Sequence, residues 1–227
     1  MNKKLTLFSI SLFVSLLIFS CSHYRPGDQD SFQSFSEMAK KNKEGLDYEI
    51  QYKERLSKIL VSAFHGGHVE PGSTELADEI TKNKYDYYTF KALKPGKVHE
   101  PSLTSSSLHI TSTRFDEPKM MSMIENKAFC LSLHGFGGKE ADFCIGGANA
   151  EKRKELMKQL VKDFPDLKSC ELCCPPFNGT SAKNPINKCQ NQGVQVEMGP
   201  SVRKRILNDE NFKKTLAKSF ESFLDLN

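Results

Sequence analysis

The sequence predicts an α/β fold: a mixed, mainly parallel sheet with helices on both faces. Three observations predict it. Short apolar runs alternate with segments of helical periodicity, the pattern of strands joined by crossover helices. Two of those runs, ILVSAF and AFCLSL, are apolar almost throughout, as strands buried on both faces must be. The chain of 227 residues is 38% hydrophobic with 16 Phe and no Trp, enough to fill one core of ordinary domain size. No Gly-X-Y period, heptad run or longer repeat is present, which excludes fibrous and solenoid classes.

The elements follow in order. Ile59–Phe64 is a buried strand, and Ser73–Asn83 is a helix with Ser73 or Thr74 at its N-cap. Tyr85–Phe90 is an aromatic strand and Ser107–Ser112 a short one. Glu117–Asn126 can form a helix after Asp116. Ala128–Leu133 is the second buried strand, and Asp142–Ile145 a further one. Ala150–Phe164 is amphipathic, with Leu156, Leu160, Val161 and Phe164 on one side. Val194–Val196 leads a strand. Asn211–Leu226 closes the chain as a helix with Phe212, Leu216, Phe220 and Phe223 on one face. Residues 166–192 form an irregular Cys-, Pro- and Asn-rich excursion, too long to be a plain connection.

The first residues are an address. Lys3 and Lys4 precede an uncharged, mostly apolar run, Leu5–Phe19, short for a membrane span and suited to a secretory signal over residues 1–20. Ile18 is not the small residue that ordinary signal peptidase wants. Leu17-Ile18-Phe19-Ser20-Cys21 resembles a bacterial lipobox, which makes Cys21 the expected lipid-bearing residue; a plain signal peptide is the alternative. Residues 21–46 read as the lipid-attachment cysteine and a polar tether, and 47–227 as the working domain. The expected location is an exported, membrane-anchored lipoprotein, periplasmic or at the cell surface. Without its leader the chain is close to neutral, so bulk charge does not make it a nucleic-acid binder.

Removing Cys21 leaves six cysteines, an even number, in an oxidising space where disulfides are the default. Sequence cannot choose among the 15 pairings open to six cysteines. Cys170-Glu-Leu-Cys173 is a CxxC without a second one to complete a zinc ribbon. Staples around the excursion are the expectation.

The chemistry sits at strand ends. ILVSAF runs into His65-Gly66-Gly67, and AFCLSL into His134-Gly135. In open α/β sheets ligands bind at the carboxyl ends of the strands. Glu70 follows His65 by five positions across a glycine turn, which can bring an imidazole and a carboxylate to one point. His, Glu and a distant His make a catalytic-zinc set with a position open for water. Glu197, at the end of the VQV strand, is placed as a general base. The His-Gly turns could instead be anion nests, and each residue singly could be an ordinary loop or surface group. No GxxxxGK[ST] or GxSxG motif is present.

A resemblance covers residues 47 to about 225. Ala63-Phe64-His65-Gly66-Gly67-His68-Val69-Glu70-Pro71-Gly72-Ser73-Thr74-Glu75-Leu76-Ala77 resembles the signature of the poly-γ-glutamate hydrolases of bacteriophage type. Leu108-His109-Ile110-Thr111-Ser112-Thr113-Arg114-Phe115-Asp116-Glu117-Pro118 is similar to their second block, and Leu131-Ser132-Leu133-His134-Gly135 to their third. Ile145-Gly146-Gly147, Asn187 and Gly193-Val194-Gln195-Val196-Glu197 continue the series. The resemblance implies a zinc carboxypeptidase-like fold, Zn2+ held by His65, Glu70 and His134, and Glu197 as base. His68 stands where the family usually has glycine, and Arg114 where it commonly has histidine. The six cysteines and the 166–192 excursion are also not general to it.

The implied activity is zinc-dependent hydrolysis of γ-glutamyl amides. An anionic γ-glutamyl polymer needs cationic and polar partners: Arg114 and Arg203 foremost, then Asn187, Lys139 and His68. Two rivals remain at this level. One is an amidase or carboxypeptidase acting on peptidoglycan stem peptides; the other is a non-catalytic binding lipoprotein.

Overall fold

The computed structural model describes residues 30–95, 107–139 and 141–226. The leader and Cys21 lie outside the described residues. Seven strands form one sheet in the order β1-β3-β2-β4-β7-β5-β6. They are β1 (Tyr48–Lys53), β2 (Ile59–Gly67), β3 (Asp86–Ala92), β4 (Phe129–Gly135), β5 (Phe143–Gly146), β6 (Ser169–Glu171) and β7 (Gly193–Met198). The central block β3-β2-β4-β7 is parallel. β1 and β5 join it antiparallel, and β6 pairs parallel with β5. The sheet is thus mixed and mainly parallel.

Helices cover both faces. On one face α2 (Ser73–Thr81), α4 (Ala150–Asp163), α5 (Pro200–Asn208) and α6 (Glu210–Leu224) pack on Val61, Ala63, Leu131, Leu133, Val194 and Val196. On the other, α1 (Phe35–Ala39), α3 (Pro118–Ile124) and the loop residues Leu108, Ile110 and Phe115 bury Leu60, Phe64 and Cys130. Alternation along each strand therefore assigns faces. His134, Gln195, Glu197 and Cys144 point away from the four-helix layer.

Several expectations change. Ser107–Ser112 is not a strand: a turn and extended backbone lead into a 3-10 turn at Ser112–Arg114, because the side chain of Asp30 takes the Thr111 N–H. The N-cap of α2 is Gly72, not Ser73 or Thr74; its φ of 99° suits only glycine well, and its N–H donates to Glu75. Ser73 instead donates to the Glu70 carbonyl. The terminal helix is α6, which starts one residue before its expected first residue and is capped by Asp209 through Phe212 N–H, and α5, for which the sequence carried no expectation, precedes it. Within the segment read as tether, Phe35 and Met38 of α1 are buried.

The six cysteines pair as Cys130–Cys189, Cys144–Cys174 and Cys170–Cys173. The first ties β4 to the end of the excursion, and the other two tie β5 and β6 to its start.

Candidate metal centre

The centre is built where β2, β4 and β7 end. After His65 the chain turns tightly: Glu70 N–H donates to the His65 carbonyl at 2.7 Å, and His68 N–H to Ala92. Gly67 makes this possible. Its φ is 63°, and a Cβ there would sit 2.3 Å from the Ala92 carbonyl oxygen. The turn brings Glu70 Oε1 to 2.9 Å from His65 Nδ1. His134, on the neighbouring strand, places Nδ1 3.1 Å from His65 Nδ1 and 3.4 Å from Glu70 Oε2. Gly135 N–H donates to Glu70 Oε2. All three side chains are buried.

Ring chemistry fixes one tautomer. His65 Nε2 lies 2.8 Å from the Ile110 carbonyl, which can only accept, so Nε2 carries the hydrogen. Nδ1 faces Glu70 and His134, and, against the burial of this ring, the charge of Glu70 raises its proton affinity. Three lone-pair atoms so close together need a proton or a cation between them. His134 Nε2 is buried and makes no hydrogen bond among the described residues. A nitrogen-nitrogen-carboxylate set with an orphaned ring nitrogen fits a zinc ion.

Electrostatics point the same way. Burial works against the charge on Glu70, but His65 and His134 outweigh it and hold its carboxyl well below the usual range. Burial pushes Glu197 well up, and the charge of Glu70 adds to this. Two buried carboxylates repelling one another are relieved by a cation.

Glu197 lies opposite His134 in the β4/β7 register, on the same face. Gln195 Nε2 donates to Glu197 Oε1 at 2.8 Å and also to the Phe177 carbonyl, while Asn184 holds Gln195 Oε1. Gln195 thus fixes the carboxylate and leaves Oε2 outside this bond. Arg203 is fully buried, donating to the carbonyls of Met198 and Phe136. Its charge acts on Glu70 and Glu197 from below the site.

The other predicted residues stand outside the three-residue cluster. The Asn187 amide is spent on Ala148 N–H and the carbonyls of Gly179 and Ser181. His68 is exposed on the turn and Lys139 is exposed past the His134 turn. Arg114 is half-buried, bonded to Asp30, Gln33 and Thr111.

Two residues without a predicted role join the centre. The His109 ring lies tilted against that of His65, centroids 4.3 Å apart, and its ligand atom lies within 4.8 Å of those of His65 and Glu70. Asp30 bonds His109, Arg114 and the N–H and hydroxyl of Thr111. The position of His109 inside the second quoted block was the available signal. Asp30 gave none, being one acid in a polar stretch.

A buried imidazole–carboxylate cluster at the carboxyl ends of parallel strands gives an α/β protein a candidate metal centre of the sort a hydrolase can use. The model of the poly-gamma-glutamate hydrolase family matches residues 32–226, and the chain belongs to that family. It is 34% identical over 200 residues to UPF0714 protein YndL of Bacillus subtilis (strain 168), covering 87% of this chain and 75% of YndL. UPF0714 protein YmaC of the same organism is 30% identical over 211 residues, 90% and 84% of the two chains. A zinc-free YndL structure superposes with a TM-score of 0.75 at 31% identity, over 86% of this chain and 98% of that one. A bacteriophage poly-gamma-glutamate hydrolase shares the fold, with a TM-score of 0.77 at 23% identity over 87% and 97%.

Proposed function

We propose that this hydrolase cleaves γ-glutamyl amide bonds in a poly-γ-glutamate-like substrate, with zinc held by His65, Glu70 and His134. The observation that carries this is the convergence of those three side chains, with His134 Nε2 unpartnered among the described residues, beside a separately buried Glu197. When bound, zinc supplies Lewis acidity, polarising an amide carbonyl and acidifying water.

The chain's own groups do the rest. Glu197, oriented by Gln195, accepts a proton from the attacking water at its free oxygen and delivers it to the departing amine nitrogen. Arg203 keeps the charge of Glu70 and Glu197 tolerable without reaching solvent. Arg114 is the cation best placed at the rim, half-exposed and oriented by Asp30, to meet a substrate carboxylate. The lipid anchor at Cys21 and export to a membrane-facing compartment belong to the same proposal. Changing Cys21→Ala should move the protein from the membrane to the soluble fraction; continued membrane association would remove the anchor.

The test is incubation with poly-γ-glutamate and, separately, with muropeptides, with and without chelator, reading products by mass. Chelator-sensitive shortening of the polymer is expected. Glu197→Gln should lower kcat by roughly 10³-fold while zinc stays bound. Cleavage of muropeptides alone would transfer the activity to cell-wall peptides, and full activity in Glu197→Gln would remove it as base.

A further inference from the structure

We propose that Cys144, Cys170, Cys173 and Cys174 form a second metal site, which takes a thiophilic divalent cation such as Zn2+ once their two disulfides are reduced. All four sulfurs lie within 4.8 Å of one another. Between the disulfides, Cys173 Sγ is 3.6 Å from Cys144 Sγ and 3.8 Å from Cys174 Sγ. Four thiolates at about 2.3 Å from a tetrahedral zinc stand about 3.8 Å apart. Two distances between the pairs already have about that value, and reduction frees each bonded pair to open toward it.

Cys144–Cys174, with a sequence separation of 30, is a staple in its own right, but stapling does not account for Cys170 and Cys173 beside it. Cys130–Cys189 spans a sequence separation of 59, where a cross-link removes much chain entropy. Cys170–Cys173 spans three, where it removes least. Two separate staples also have no reason to touch. They touch because Cys144 and Cys170 are partners in the β5/β6 ladder, and the turn after β6 folds Cys173 and Cys174 back over them. Leu172, at φ 51°, makes that fold, with its N–H on the Ile145 carbonyl.

Exposure is graded across the cluster. Cys173 is exposed and Cys170 half-buried, while Cys144 and Cys174 are buried with Phe136 and Ala141. A reductant therefore meets the outer disulfide first, and Cys173 lies against the inner one. Each disulfide takes two electrons and two protons from a dithiol, which is itself oxidised to a disulfide. Four thiols result, and a cation binding all four as thiolates displaces four protons.

The cluster stands behind the catalytic carboxylate. Cys144 is the partner of Glu197 in the β5/β7 ladder. Cys174 begins the 3-10 turn whose Phe177 carbonyl holds Gln195. The metal site does not depend on the proposed reaction, and its sulfur ligands separate it from the imidazole–carboxylate centre.

The test uses the full chain, stripped by chelator and reduced without oxygen by a water-soluble phosphine, then titrated with Cd2+. As cadmium is the softer cation and displaces zinc, sulfur-to-cadmium charge-transfer absorption should appear and saturate at one equivalent, and it should still form when Zn2+ has been bound first. Oxidised protein and Cys170→Ser/Cys173→Ser should lack it. Cys130→Ser/Cys189→Ser should keep it, showing that the third disulfide is not its source. No saturating absorption in the reduced chain overturns the proposal, as does absorption that survives in Cys170→Ser/Cys173→Ser. A reduced chain that circular dichroism shows unfolded, and that cadmium does not refold, overturns it equally.

Discussion

Asp30 shows how much one carboxylate can organise. Its side chain is only 2% exposed and gathers His109, Arg114 and Thr111 beside the centre. Burial opposes its charge, yet the hydrogen bonds from His109 and Thr111 outweigh this and hold it far below the usual carboxylate range. A carboxyl depressed in the folded state stabilises fully above its unfolded value, about 3.9, and loses that contribution as pH falls through the folded value. Asp30→Asn should therefore cost roughly 1–2 kcal/mol at neutral pH, and its thermal midpoint should converge on that of the wild type in strong acid. Thermal unfolding against pH measures this; a gap that stays constant would detach the stability from the charge of Asp30.

At the scale of the element, β4 is where packing and chemistry share a residue. Gly135 gives its N–H to Glu70, and its missing side chain is the space that Arg203 occupies. A Cβ there would stand 2.5 Å from Arg203 Nε. Gly135→Ala must push the guanidinium off the carbonyls of Met198 and Phe136. The expected cost is about 1–3 kcal/mol, read from the urea midpoint, with weaker zinc binding alongside. Unchanged stability and zinc content would show that Arg203 moves aside freely.

The whole molecule is closed by Cys130–Cys189, which joins the middle of the sheet to the excursion before β7. Its long loop makes this disulfide the strongest of the three in chain-entropy terms. Replacing both cysteines by alanine should lower stability by about 4 kcal/mol. Chemical denaturation checks it. A loss well under 1 kcal/mol would mean that the packing of Ile186 in the second core holds the excursion without the bond.

The sequence by itself determined the strands of the parallel core and the amphipathic helices, because apolar runs and 3.6-residue periodicity are local properties. It also put His65, Glu70, His134 and Glu197 at strand ends, since residues just past a buried run must emerge at one edge of the sheet. Half-exposed β1 and the five-residue α1 were not legible, having little apolar pattern of their own, and neither was α5, which buries only Val202, Arg203 and Ile206. Tertiary structure alone decided that Asp30 reaches His109 across 79 positions, that Asn187 is spent on the backbone, and that Arg203 lies under the site. It also chose the cysteine pairs. Such outcomes depend on which distant segments the sheet order brings side by side, and no local pattern encodes that order.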